Sequence, residues 1–305
     1  MLKVRQNSAP AAMAAPRFRP GDPICPGLFA WGLLGDGHRT ECWLAWSVPL
    51  WSHVVVKLPR EEHLHEPRTA ARLAGEGRIL RRLQHPAIQR LLDDAHRAPL
   101  PHLVLEYVEG PTLDTLTDEE GPLTPGEVVR VGMQVAACLH YVHGQGLVHL
   151  DLKPGNVALR EGRAVLLDFD IARPAGQPAP PGAAHGSRAY MAPEQCERAA
   201  TDVRMDLFAL GTVLYELATG HRAFRPEDAV PGCDYPQLLT RPMRARVCQP
   251  SVPVDLDLVI HALLERDARR RPQTALETLR MLAEALPHGE DGTWPSFVDP
   301  LMGSW

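Results

Sequence analysis

Apolar positions change their period part-way along this chain. From Leu28 to Leu58, short β-favouring stretches alternate with glycine and polar turns. Trp43-Leu44-Ala45-Trp46 and Val54-Val55-Val56-Lys57-Leu58 read as two strands of a hairpin-rich sheet. Pro67 opens a helix expected to run to about Leu83, with His85-Pro86 closing it. Two more strands are expected after it, the second being Leu103-Val104-Leu105-Glu106. Past Gly110 the pattern turns helical. Thr124-Pro125-Gly126-Glu127 joins a Thr cap, a proline at the first helical position and a Glu three residues after the cap. Val128, Val131, Val135, Cys138 and Leu139 then recur at helical spacing as far as Gly144. Asp206 to Leu217 is a mostly apolar helix ended by Gly220, expected to be buried on most sides, and Leu256–Leu264 and Ala275–Leu286 give the last helices. There is no internal repeat.

Composition narrows the class. A chain of 305 residues can bury a sizeable core, and residues 1–27, rich in Pro and Ala, read as a flexible tail. The first twenty residues carry Lys3, Arg5, Arg17 and Arg19 with no acid, which fits a disordered basic segment rather than an organelle transit peptide, and they lack the apolar run of a secretory signal. From Pro287 the chain is Gly/Pro-rich, with Trp294, Phe297 and Trp305 as isolated anchors. The formal charge of −5 gives no electrostatic reason to expect nucleic acid or an anionic membrane as the main partner, and no run is long and apolar enough to span a bilayer. Six cysteines without paired short spacing argue against a zinc site or disulfide framework and for a reducing cytoplasm. The fourteen histidines include no His-Glu-x-x-His arrangement and read as surface or packing residues.

The chemistry is concentrated in His149-Leu150-Asp151-Leu152-Lys153-Pro154-Gly155-Asn156, followed by Asp168-Phe169-Asp170. A carboxylate, an ammonium and an amide share one short loop, with a second carboxylate on a turn downstream. Phosphoryl transfer from a nucleotide needs that set: a base for the hydroxyl, a cation for the phosphate and oxygen ligands for a metal. The segment resembles the catalytic loop and metal-binding turn of bacterial eukaryotic-type (Hanks-type) Ser/Thr protein kinases. The resemblance covers about residues 28–286, strongest from Val148 to Gly220 and weakest in the glycine-rich turn. It implies an α+β, bilobal fold with a small β-rich N-lobe carrying one helix (28–109) and a larger α-helical C-lobe (110–286), flanked by tails at 1–27 and 287–305.

The same resemblance implies the site. Asp151 would take or orient the substrate proton, Lys153 would steady the transferred group, and Asn156 and Asp168 would hold Mg2+, with Mn2+ as a substitute. Gly35-Asp36-Gly37 fits a phosphate-covering loop whose third glycine is replaced by Thr40, which should stiffen or crowd it. Lys57 would bind the ATP α/β-phosphates, held by Glu76. The glycines on either side of Glu76 each cost a helix about 1 kcal/mol, so this helix should be easily displaced and the Lys57–Glu76 pair made and broken in regulation. Leu105 would guard the back of the adenine pocket, backbone groups of Glu106 and Val108 would meet the adenine edge, and Cys42, Val55 and Ala158 would cover its faces. Asp206 would tether the catalytic loop backbone, and Arg271 would pair with Glu194 of Ala192-Pro193-Glu194.

Lys153 and the Gly186-to-Glu194 segment favour Ser/Thr over Tyr specificity, with Ser187 placed to bond Asp151 and Lys153. Leu150 stands where many relatives carry an Arg that grips an activation-loop phosphate, and residues 171–186 contain no Ser, Thr or Tyr. Phosphorylation within that segment is therefore not expected to drive activation, though Ser187 and Tyr190 remain as acceptors. Asp170, in place of a flexible glycine, should restrict the metal turn. Two other readings stay open at this stage. Asp168-Phe169-Asp170 also occurs in aminoglycoside and choline kinases, which implies a small-molecule phosphotransferase. Thr40, Leu150 and Asp170 would also suit a nucleotide-binding pseudokinase scaffold.

Overall fold

The computed structural model describes residues 16–180, 184–225, 227 and 232–286. Its backbone falls into two compact units, one formed by residues up to Gln84 with Gln89–Val108, the other by His85–Ile88 with residues from Glu109 onward.

The first unit is built on a six-stranded antiparallel sheet of order β1-β2-β3-β4-β6-β5. Its strands are β1 (Pro23–Cys25), β2 (Leu28–Asp36), β3 (Thr40–Ser47), β4 (Ser52–Pro59), β5 (Leu91–Ala95) and β6 (His102–Glu106). Alternation along the strands separates two faces. Ala30, Trp43, Ala45, Val54, Val56, Leu58 and Val104 form a core with Ile24 and Leu28. Lys57 and Leu103, directly paired across β4 and β6, belong to the opposite set, and helix α1 (Pro67–Leu80) meets them there through Glu76 and Gly77. The helix stops three residues short of the expected Leu83: the Arg81 N–H closes on Gly77 O, and the chain turns before His85-Pro86, a step that disfavours helix.

The stretch expected as a tail up to residue 27 is ordered from Pro16 onward. Phe18 packs edge-on against Trp43 with ring centroids 5.2 Å apart, and Arg17 Nη1 donates to Glu41 Oε1 and Pro59 O, both at 3.0 Å. Apolar contact and a charge-assisted bond thus hold a segment whose composition alone suggested disorder. The first fifteen residues and the three aromatic anchors after Pro287 lie outside the described residues.

The second unit is mainly helical. It comprises α2 (Leu113–Glu120), α3 (Pro125–Gly144), α4 (Pro193–Cys196), α5 (Val203–Thr219), α6 (Ala245–Cys248), α7 (Val254–Leu263) and α8 (Ala275–Glu284), with two small two-stranded antiparallel sheets. One joins β7 (Leu147–Val148) to β10 (Arg173–Pro174), the other β8 (Val157–Arg160) to β9 (Arg163–Leu166). The capping box opens α3 as expected: Thr124 Oγ1 accepts from the Glu127 N–H, and Glu127 Oε2 accepts from the Thr124 N–H at 2.9 Å. Helix α5 is buried nearly throughout and ends on Gly220 at φ 71°. It begins at Val203, capped by Asp202, so Asp206 lies in its first turn rather than at its start.

Two buried ionic contacts anchor the loop after β7 and the start of α4. Arg271 has no exposed side chain and forms a two-pronged pair with Glu194 at 2.6 and 2.8 Å. Its remaining donors reach the carbonyls of Arg204, Glu265 and Arg266, and its guanidinium lies 4.9 Å from the Phe208 ring centroid. Asp206, fully buried, accepts from the His149 N–H and the Leu150 N–H, both at 2.8 Å, and from His143 Nε2 at 2.9 Å. Burial alone would push its carboxyl up, but the bond from His143 and the nearby histidines hold it below the usual carboxylate range.

A planar fork is needed at position 271, so Arg271→Lys is expected to destabilise the fold by ~2 kcal/mol and Arg271→Ala by ~4 kcal/mol in denaturant titrations. Asp206→Asn offers one acceptor oxygen to two backbone donors and should cost ~3 kcal/mol. Because the folded pKa is depressed, the charge of Asp206 contributes stability above an unfolded pKa near 3.9. That contribution disappears as pH falls through the lower folded value. The Asn variant should therefore lose less stability than the wild type on acidification below about pH 4.

Candidate active site

The sequence-predicted residues divide between the two units. In the first, Lys57 and Glu76 are both buried, and Lys57 Nζ lies 2.7 Å from Glu76 Oε2. An ammonium is thereby fixed at one point of the sheet by a helix-borne carboxylate. The glycines beside Glu76 differ in what they do. A Cβ on Gly75 would meet only the tip of Arg78, whereas one on Gly77 would fall 2.7 Å from Asp94 Oδ2 and 3.2 Å from Leu103 Cδ2. Gly77 thus lets α1 approach the sheet closely, a role that the expectation of a soft helix overlooked.

The turn from Gly35 to Thr40 closes with Gly37 N–H donating to Thr40 O at 3.0 Å. It is tied down more firmly than a bare glycine turn: Arg60 pairs with Asp36 and reaches Gly37 O, and Arg39 pairs with Glu66 at the start of α1. A Cβ at Gly35 would meet nothing within 4 Å, so the backbone there is open to a close ligand. Val55 pairs with Leu105, and Cys42 with Lys57, in adjoining rows of the sheet. Glu106 is partly committed: its N–H donates to Arg90 O at 2.8 Å and its carbonyl accepts from Gln89 Nε2 at 2.8 Å. Among the described residues, none bonds the backbone of Val108, whose N–H and carbonyl keep their hydrogen-bonding capacity.

In the second unit the catalytic-loop residues converge. Leu150 adopts φ 69°, a left-handed conformation that costs a non-glycine residue about 1 kcal/mol and is held by the bond from its N–H to Asp206. His149 donates from Nε2 to Leu167 O at 3.1 Å, accepts the Asp151 N–H on Nδ1, and packs edge-on against the buried Phe169 at 4.7 Å. The loop and the downstream turn are thus locked to each other. Asp151 then presents its carboxylate among donors: Ser187 N–H at 2.7 Å on Oδ1, with Asn156 Nδ2 at 3.2 Å and Lys153 Nζ at 3.3 Å on Oδ2. Lys153 Nζ also donates to Ser187 Oγ at 3.0 Å. Ser187 therefore meets both residues, but it is its backbone N–H that bonds Asp151.

Asn156 Nδ2 also donates to Asp151 O at 2.8 Å, which leaves Oδ1 as its atom for a cation. Asp168 is held at φ 58°, where its Oδ1 accepts the Asp170 N–H at 3.2 Å. That left-handed backbone is one that aspartate adopts more readily than most side chains. An amide oxygen and a carboxylate are hard donors suited to magnesium, which needs few protein ligands when phosphates supply the rest. Ala158, paired with Val165 and bridged to Thr112, is buried in this second unit.

Sequence reasoning missed two buried amides. Gln195 Nε2 donates to Leu150 O at 2.9 Å and His185 O at 2.7 Å, joining the catalytic loop to the segment before Ser187. Gln237 Nε2 donates to Arg188 O at 2.8 Å and Met191 O at 3.0 Å. Tyr190 is also sealed: its hydroxyl donates to Glu216 Oε2 at 2.7 Å, and burial, then Glu216, push its pKa up. Phosphorylation at Tyr190 would require that contact to open.

Comparison with known proteins agrees with this geometry. A model of the protein kinase domain matches residues 31–282. The chain is 32% identical over 254 residues to the serine/threonine-protein kinase PknB of Mycobacterium tuberculosis, covering 80% of this chain and 40% of that protein. It is 32% identical to the probable serine/threonine-protein kinase SCO3848 of Streptomyces coelicolor (85% of this chain, 39% of that protein) and 33% identical to pkn2 of Myxococcus xanthus (83% and 31%). The chain thus spans about two-fifths or less of the length of these relatives. With a β-sheet unit bearing one long helix, a mainly helical second unit and this match across most of its length, the chain belongs to the protein kinase family, among the bacterial Hanks-type Ser/Thr kinases.

Proposed function

We propose that this chain is an ATP-dependent Ser/Thr protein kinase, with its catalytic domain at about residues 28–286, that transfers the γ-phosphoryl group to protein hydroxyls without needing phosphate in its activation segment. The observation that carries the reading is the setting of Asp151, whose carboxylate is oriented by Ser187 N–H and Asn156 Nδ2 with the Lys153 ammonium alongside. In that setting Asp151 accepts the substrate hydroxyl proton as the oxygen attacks, and Lys153 stabilises negative charge on the group in flight. Lys57, steadied by Glu76, binds α/β-phosphate oxygens, and the backbone from Gly35 to Gly37 covers them. Asn156 Oδ1 and the Asp168 carboxylate would hold the metal, and backbone groups of Glu106 and Val108 meet the adenine edge. Bound MgATP supplies the transferable phosphoryl group and the charge neutralisation that its transfer requires.

Independence from an activation-segment phosphate is supported by residues that already brace the substrate-facing segment. Gln195, Gln237 and the Tyr190–Glu216 bond hold residues 185–191, and Leu150 is buried where a phosphate-gripping cation would otherwise stand.

Radiolabelled ATP offered to casein or myelin basic protein, alongside aminoglycosides and amino alcohols, tests the reading. Label is expected on protein, with Asp151→Asn lowering transfer at least ~100-fold. Label on a small molecule would replace the protein substrate, and nucleotide binding without turnover would indicate a scaffold. Mass spectrometry of active enzyme is expected to find no phosphate between Asp168 and Gly186.

A further inference from the structure

One row of side chains crosses the sheet of the first unit through directly paired positions: Cys42 with Lys57, Lys57 with Leu103, and Leu103 with Asp94. Directly opposed residues share a face, so Lys57 and Asp94 stand on the same side of the sheet with Leu103 between them. Helix α1 meets both. Glu76 reaches Lys57 at 2.7 Å, the backbone at Gly77 approaches Asp94 and Leu103, and Arg81, just past the helix end, places Nη2 2.9 Å from Asp94 Oδ2. The polarity is reciprocal: the sheet offers a cation then an anion, and the helix an anion then a cation.

Asp94 is built into this place. Its side chain is 1% exposed, and Oδ1 accepts from His96 Nδ1 at 2.5 Å and from the His96 N–H at 3.2 Å. Burial pushes its pKa up, but the bonds from His96 and the Arg81 charge bring it below the usual carboxylate range, keeping it ionised. Arg81 Nη2 is close enough to Oδ2 for an ion pair yet is not aligned as a hydrogen bond, so the contact fixes position mainly through charge. Neither pair alone sets where α1 lies along its axis. The two pairs, five residues apart on the chain and separated by Leu103 on the sheet, do.

We propose that Asp94 is a positioning residue: paired with Arg81 and seated against Gly77, it holds α1 in the register that keeps Glu76 on Lys57. The inference rests on the kinase reading of Lys57 and Glu76. Asp94→Asn preserves volume and an acceptor for the His96 N–H while removing the charge that meets Arg81, and Arg81→Met removes the partner. Each is expected to raise KM for ATP roughly fivefold with a smaller fall in kcat, and to speed hydrogen exchange of the α1 amides. The double variant should be no worse than either single one, because both act through one contact. Folded Asp94→Asn with wild-type KM and wild-type α1 exchange would overturn the proposal, as would a drop in kcat at constant KM, which signals lost active fraction only. If Asp94→Asn fails to fold, Arg81→Met decides on the same two readouts. If the wild-type chain transfers no phosphate, the kinase reading fails separately. ATP affinity by calorimetry and α1 exchange then still decide the role of Asp94.

Discussion

The second unit depends on a carboxylate that water never reaches. Placing Asp206 in the first turn of a helix buried on nearly every side would cost several kcal/mol if its charge were left unmet. Two backbone N–H groups and one imidazole meet it instead, and the two N–H groups belong to consecutive residues of the catalytic loop. Satisfying the charge and shaping the loop are one event. Leu150 is held at φ 69° by the bond from its N–H to Asp206, and from that bend Asp151 leaves toward Ser187 and Asn156. The apolar packing of α5 is thus converted, through one anion, into the orientation of the Asp151 carboxylate.

The segment that would face a substrate is held by neutral donors. Gln195 and Gln237 each spend one amide nitrogen on two carbonyls, and a buried tyrosine–glutamate bond closes the same stretch. Amide-to-carbonyl bonds in a buried setting do not depend on a covalent switch. A phosphate gripped by arginine orders a loop by adding charge-assisted bonds. Here equivalent order comes from bonds present in the unmodified chain, which is the physical ground for the proposed phosphate independence.

What the sequence made legible follows from whether a residue's role is local or shared across the fold. Helix α3 was readable because Thr124 and Glu127 satisfy each other within one turn, and the end of α5 because Gly220 accepts a positive φ that other residues resist. Asp206, Arg271 and the Lys57–Glu76 pair were legible only through resemblance, since nothing near them in sequence names their partners. Gln195 and Gln237 were invisible for the same reason: a glutamine that braces two distant carbonyls looks like any surface glutamine. Strand β1, the Phe18–Trp43 contact and the Arg17–Glu41 pair were hidden by a Pro/Ala-rich composition. The short α2 and the β8–β9 hairpin carry too few residues for a period to emerge.

Helix α1 shows why composition and fit have to be weighed together. Two glycines in fourteen residues cost it about 2 kcal/mol against alanine, so its own propensity holds it weakly. The Lys57–Glu76 pair does not offset that cost by itself, because desolvating both charges consumes most of what their attraction returns. The compensation lies beside them. At Gly77 the missing side chain lets the helix backbone close on Asp94 and Leu103, where any Cβ would overlap a carboxylate oxygen at 2.7 Å. Placement of α1 therefore rests on contact with the sheet rather than on helix strength, and a helix held this way is sensitive to the charges of Lys57 and Asp94 on the row it crosses. The same glycine that weakens the element in isolation makes its docked position specific.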